Sequence, residues 1–166
     1  MLSRKKHDLI ILRIILILGV LIIPIAFKRK GIKDWLFVYL WNGFTNILLD
    51  KWITSIGKIQ YPVRLCAKVF NINVLFDLVW YPLISVFYNQ LTKDDNLFRS
   101  FYRLFYFTIP IILIEAWAEK NTKLIAFQKG WKWYHSFISL NVNSLLTKGL
   151  LKVVKKIDTV QTEQPS

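Results

Sequence analysis

The stretch Leu9–Phe27 is apolar at every position except Arg13 and the small Gly19 and Pro24. A run of roughly 20 such residues is what a helix needs to cross the hydrocarbon core of a bilayer. Arg13 lies one turn inside the start, where a long side chain can reach back toward the headgroups. Four more apolar runs follow, so the candidate spans are 9–27, 35–52, 69–90, 101–118 and 133–151. The runs are continuous rather than alternating, which points to helices and away from barrel strands. The expected fold is an all-α integral membrane helical bundle with five transmembrane helices. It forms one domain, 1–151, followed by a basic and then polar tail, 152–166, expected to be partly disordered. Spans two and five are short and polar, so four spans plus an interfacial helix is the alternative.

The first run has a basic start, Arg4-Lys5-Lys6, as a signal peptide would. It ends instead in Lys28-Arg29-Lys30 with no small-residue cleavage pattern, so a retained span is expected. Trp35, Trp52, Trp117, Trp131 and Trp133 fall near span ends, where amphipathic rings favour the headgroup level. Trp80-Tyr81 falls mid-span and is expected to pack inside the bundle. In the connection before span three, Tyr61-Pro62-Val63-Arg64 reads as a turn, with a helix starting over Pro62–Lys68.

Composition removes several classes. With 54% hydrophobic residues the chain is too apolar for disorder, and one cysteine, Cys66, cannot form an internal disulfide. Twenty-three Lys and Arg against 10 Asp and Glu give +13. These cations are spread over every connection rather than gathered on one face, which argues against nucleic acid as a partner. Their spread also leaves orientation undecided by the positive-inside rule. Lys148, Lys152, Lys155 and Lys156 recur at helical spacing between apolar residues, a pattern suited to anionic lipids. A solvated helix end with its cations at the negative pole explains the same spacing.

The remaining signal is polar residues within the spans, which are costly and should face the bundle interior. Asn42 and Asn46 lie on one face of span two with Asp50, and Asn73 and Asp77 on one face of span three with Tyr81. Glu115 and Glu119 share a face of span four, Arg103 lies near its start, and His135 opens the polar face of span five. Asn42, Asn46, Asn73, Asp77, Arg103, Glu115, Glu119 and His135 form the candidate intramembrane polar cluster. Interhelical hydrogen bonding is the preferred reading, with Asp77 or Glu115 paired to Arg103, Arg64 or His135. A small ion or proton path through Asp77 and Glu115 is the alternative. Pro82 and Pro110 lie inside spans, where a freed carbonyl can open room for a polar pocket.

Catalytic signatures are missing. The sequence has no Gly-rich phosphate loop, no HExxH pair and no GxSxG elbow, and only His7 and His135 as histidines. Cys66 reads as a buried, inert thiol. No cofactor, no metal and no enzymatic activity are expected.

Several short blocks occur in a set order: Ile32-Lys33-Asp34-Trp35, Tyr61-Pro62-Val63-Arg64, Phe76-Asp77 with Tyr81-Pro82, and Tyr88-Asn89. Glu115 with Glu119-Lys120-Asn121-Thr122-Lys123-Leu124-Ile125 follows, and then Gly130-Trp131-Lys132-Trp133-Tyr134-His135-Ser136-Phe137. In this order the chain resembles a family of small multispanning membrane proteins of spore-forming Gram-positive bacteria. The resemblance implies a multi-pass protein of the bacterial cytoplasmic membrane and supplies no substrate or catalytic residue. The expected role is a non-enzymatic membrane protein, structural or an accessory subunit of a complex. Its partners would be the bilayer and a membrane protein or a second copy. A small transporter or channel component using the intramembrane carboxylates is the alternative.

Overall fold

The computed structural model describes Leu2–Glu163, with side chains from Lys5 to Thr159. Among these residues the chain is all-helical apart from one very short ribbon. The elements are α1 (Leu2–Phe27), α2 (Ile32–Ser55), β1 (Ile59–Gln60), a π-helical turn (Phe76–Trp80), α3 (Tyr81–Leu91), α4 (Leu97–Asn121), β2 (Ala126–Phe127) and α5 (Trp133–Glu163). The helices run alternately up and down. One end gathers the α1–α2 turn, the α3–α4 turn and the last part of α5. There, Gln90 Nε2 donates to Ala26 O at 2.6 Å, and Lys155 Nζ meets Asp34 Oδ2 at 2.7 Å. The opposite end gathers the start of α1 and the connections 56–75 and 122–132. There, Lys123 N–H donates to Asp8 Oδ2 at 3.2 Å and Val63 N–H to Lys123 O at 2.9 Å.

Five of the expected helical regions are present, with altered bounds. α2, α4 and α5 are all longer than the apolar runs that signalled them. α5 continues to Glu163, so most of the expected tail is helical; Gln164–Ser166 lie outside the described residues. The third region departs most. Val69–Asn73 is not helical, and the helix begins only at Val74. The helix expected over Pro62–Lys68 is absent as well. Its cause is Arg64, whose guanidinium donates to the carbonyls of Tyr61, Ala67 and Phe70. Three carbonyls turned toward one side chain hold the segment as a loop, and Cys66 sits in the left-handed region at φ 53°.

The π turn sits directly before Pro82. Tyr81 N–H reaches back five residues to Phe76 O, and Pro82 has no N–H to offer. The carbonyl of Leu78 is thereby freed, and the Tyr39 hydroxyl from α2 takes it at 2.6 Å. Gly43 of α2 faces this turn, and a Cβ there would lie in ordinary contact, 3.5 Å from Pro82 Cγ and Leu78 Cδ2. Trp80, expected inside the bundle, donates its indole N–H to Ile15 O on α1. α1 packs through a second glycine. A Cβ on Gly19 would lie 2.6 Å from Val79 Cγ1, and Val79 is too short to swing aside. Gly19→Ile is therefore expected to cost about 1–3 kcal/mol through overpacking. Thermal denaturation of the detergent-solubilised chain should show the loss; an unchanged midpoint would mean that α1 is not held by this contact.

The apolar core is divided. Ala26, Trp35, Val38, Leu83, Val86 and Leu151 join four helices near one end. Leu12, Val63, Leu75 and Leu124 form a second cluster, and Ile53, Ile59, Ala118 and Ile125 a third beneath the β1–β2 ribbon. In the ribbon Ile59 pairs with Phe127 and Gln60 with Ala126, antiparallel. Between these apolar clusters the interior is polar.

Candidate functional site: an acidic cavity under the ribbon

Where α2 ends, the π turn begins and α4 meets α5, three carboxylates from three elements line one cavity. Asp50, Asp77 and Glu115 face a space of about 70 Å³ together with Tyr61, Tyr81 and Ser136. Each arrives there by a local cause. Asp50 lies two turns past Asn42 on the inner face of α2. Asp77 is fixed by the start of its helix, where Asn73 O accepts from the N–H groups of Phe76 and Asp77 at 2.9 and 3.3 Å. Glu115 lies on the side of α4 that meets the first turn of α5, and Ser136 Oγ donates to its Oε1 at 2.8 Å. Trp131 donates its indole N–H to the same Ser136 oxygen at 3.1 Å.

Tyr61 reaches the cavity from the loop that Arg64 organises. Its hydroxyl donates to Asp50 Oδ1 at 2.8 Å. Burial, reinforced by the charges of Asp50 and Asp77, pushes the Tyr61 phenol well above its usual range. The sign of the stability effect follows. A group that holds its proton more tightly when folded contributes fully below its unfolded pKa, near 10, and loses that contribution as pH rises further. Wild-type protein should therefore lose stability above about pH 10 by a step that Tyr61→Phe lacks. Melting curves at neutral and alkaline pH test this, and parallel alkaline losses in both proteins would remove the assignment.

A second, smaller space of about 20 Å³ lies deeper and shares Asn46, Tyr81 and Leu140 with the first. Its polar wall is a ladder between α2 and α5. Asn143 Nδ2 donates to Asn46 Oδ1 at 2.9 Å, and Asn46 Nδ2 to Asn42 Oδ1 at 2.8 Å. Asn42 Nδ2 reaches Thr147 Oγ1 at 3.5 Å, and that hydroxyl donates to Asn143 O. One turn on, buried Lys148 donates to Thr92 O and Thr92 Oγ1, both at 2.6 Å, with its ammonium 5.4 Å from the Tyr88 ring. Polar side chains thus run from the ribbon end nearly to the opposite end of the bundle.

Of the expected polar cluster, Asn42, Asn46, Asn73, Asp77 and Glu115 gather along this track. Arg103, Glu119 and His135 do not. Arg103 lies at the opposite end of α4, where it meets Asp95 Oδ2 at 3.2 Å and donates to Leu91 O. Glu119 is half-buried one turn beyond Glu115 and lines neither cavity. His135 stacks between Trp131 and Tyr134 and accepts from Lys132 N–H at 3.1 Å. The expected ion pairs of Asp77 or Glu115 with Arg103, Arg64 or His135 are thus absent among the described contacts. Arg64 is spent on backbone carbonyls, and Arg103 is about three turns from Glu115 along α4. Tyr61, Trp131 and Ser136 were not singled out from sequence, because nothing local links a connecting loop to span interiors. Lys148, read as a lipid-facing cation, is buried; Lys152 and Lys156 are exposed, and Lys155 is held by Asp34 and the Trp35 ring.

Among the described residues, no group of three His, Cys, Asp or Glu side chains is placed to hold a metal ion. Compared with protein-family models, with curated proteins and with solved structures, the chain matches none.

Proposed function

We propose that the chain is a multi-pass membrane protein, a non-enzymatic structural or accessory subunit of a membrane complex. The observation that carries this reading is an inverted distribution of polarity. Nearly as many polar as apolar side chains are buried, while α1, α2, α4 and α5 turn Leu21, Leu40, Tyr106, Leu113 and Leu146 outward, each more than half exposed. In water such a surface would be a liability; in lipid it is the expected exterior. Two described helices, Lys5–Phe27 and Leu97–Asn121, are long and apolar enough to cross a membrane. α2 and α5 fall short of that composition because each carries half of the buried asparagine ladder, which a bundle interior accommodates. Trp52, Trp117 and Trp133 are exposed near helix ends, as headgroup-level rings would be. The resemblance of its ordered sequence blocks to small membrane proteins of spore-forming bacteria would agree with this reading and with a bacterial cytoplasmic membrane. The exposed Lys152 and Lys156 fit an anionic leaflet.

Cys66 is the one cysteine and is exposed, which gives a direct test. In sealed vesicles a membrane-impermeant maleimide should label Cys66 from one side only. Asp94→Cys in a Cys66→Ser background should label from the other, because 74–91 would cross between them. Labelling of both from the same side would remove that crossing. The accessory role predicts a stoichiometric membrane partner after purification in mild detergent, and a homogeneous chain without one would count against it. The acidic cavity favours a second reading, a transporter or channel component, for which Asp77→Asn should abolish ion flux in liposomes while the protein stays folded.

A further inference from the structure

The acidic cavity has an incomplete set of partners. Asp77 is 3% exposed and Asp50 8% exposed, and their carboxyl groups lie within hydrogen-bonding reach of each other. Asp77 Oδ2 receives no hydrogen bond. Asn73, buried one turn before Asp77, also keeps an Oδ1 with no donor. No lysine or arginine lines the cavity. Two facing carboxylates in a buried site repel unless they share a proton or a cation comes between them. The hydroxyls of Tyr61 and Tyr81 add neutral oxygens, and no histidine or thiol is present to favour a softer ion.

We propose that this cavity binds one hard divalent cation of the Ca²⁺ or Mg²⁺ class, with Asp50 and Asp77 as its charged ligands. Two carboxylates balance the charge of one such ion. Water completes the coordination shell, since a space of about 70 Å³ holds more than one water. Few carboxylates and several waters is a known way of holding Mg²⁺, and it needs no third acidic ligand. Glu115, engaged by Ser136, stands across the cavity without being a required ligand. The inference does not rest on the membrane reading, because the cavity is built wholly within the chain.

Trp131, Tyr61 and Tyr81 line the same cavity, so a terbium ion bound there would be excited through them. Terbium, a hard oxygen-seeking ion, is the first probe, added to the full chain in mild detergent. Saturable sensitised emission is expected, displaced by CaCl₂ or MgCl₂ but not by NaCl of equal ionic strength. Asp50→Asn and Asp77→Asn should each weaken binding about tenfold or more, as loss of a ligand requires. Asp94→Asn, which removes a surface carboxylate at the far end, should leave it intact. In chelator, Asp77→Asn should melt no lower than wild type because the repulsion is gone, and it should need at least about tenfold more divalent ion to respond. Wild-type protein should gain several degrees at saturating ion through preferential binding to the folded state. No saturable emission from wild type, or emission undiminished in the Asp50→Asn, Asp77→Asn double variant, would overturn the proposal. Should the variants fail to fold, wild-type melting still decides: a midpoint that follows pH but neither divalent ion also overturns it.

Discussion

Replacing Asn46 by leucine is expected to destabilise the bundle by about 2–4 kcal/mol, the cost of two buried groups losing their partners. The side chain of Asn46 is used at both ends. Its Oδ1 takes the Asn143 amide of α5 and its Nδ2 serves Asn42 on α2. Leucine fills the volume but leaves the Asn143 Nδ2 and Asn42 Oδ1 without these bonds. Within lipid the loss should fall below that range, toward about 1 kcal/mol, since interhelical hydrogen bonds there average about 0.6 kcal/mol and reach about 1.7. Denaturation of the full chain in detergent measures it. Adding Asn143→Leu should recover part of the loss, because the orphaned amide is then gone too. A change below about 0.5 kcal/mol for Asn46→Leu, the usual range for uncoupled surface substitutions, would show that the ladder does not hold α2 to α5.

Lys148→Met should lower stability by about 1.5–3 kcal/mol, the range for hydrogen bonds to a charged group. Methionine keeps the length of the stem and removes the ammonium. Thr92 O and Thr92 Oγ1 then lose their donor, and α5 loses its tie to the end of α3. The same variant separates two roles for the basic residues of α5. Binding to vesicles of anionic lipid should be unchanged in Lys148→Met and weakened in Lys152→Gln, Lys156→Gln, which should melt as wild type does. The opposite pattern would return Lys148 to the lipid-facing surface.

Why Lys148 misleads in sequence is instructive. At spacing 148, 152, 155 and 156 it reads as part of a basic stripe, yet the burial of a lysine depends on what lies opposite. Here that is the carbonyl and hydroxyl of Thr92, 56 residues away. The helices themselves were legible, because the apolar runs recur without alternation even where polar residues interrupt them. The loop 61–73 was not, because arginine in a sequence counts as a charge, whereas Arg64 acts as a clamp on three carbonyls. The inner faces of α2 and of the third helical region could be read from period alone, placing Asn42, Asn46 and Asp50 together and Asn73 with Asp77. Which faces meet could not, since that depends on helix rotation and on partners distant in sequence, such as Asn46 with Asn143. Glu119 and His135 illustrate the limit: both have the right spacing, and both lie outside the cavities.

The π turn at Phe76–Trp80 also bears on how this chain can change in length. In α2, α4 or α5, gaining or losing one residue swings every later side chain by about 100°, exchanging interior for exterior. A π turn is an α-helix that has already absorbed one extra residue. Losing a residue there closes it to an ordinary turn and leaves Leu83, Val86 and Tyr88 facing the core as before. The segment is a seam, where losing one residue costs less than it would elsewhere in the helices.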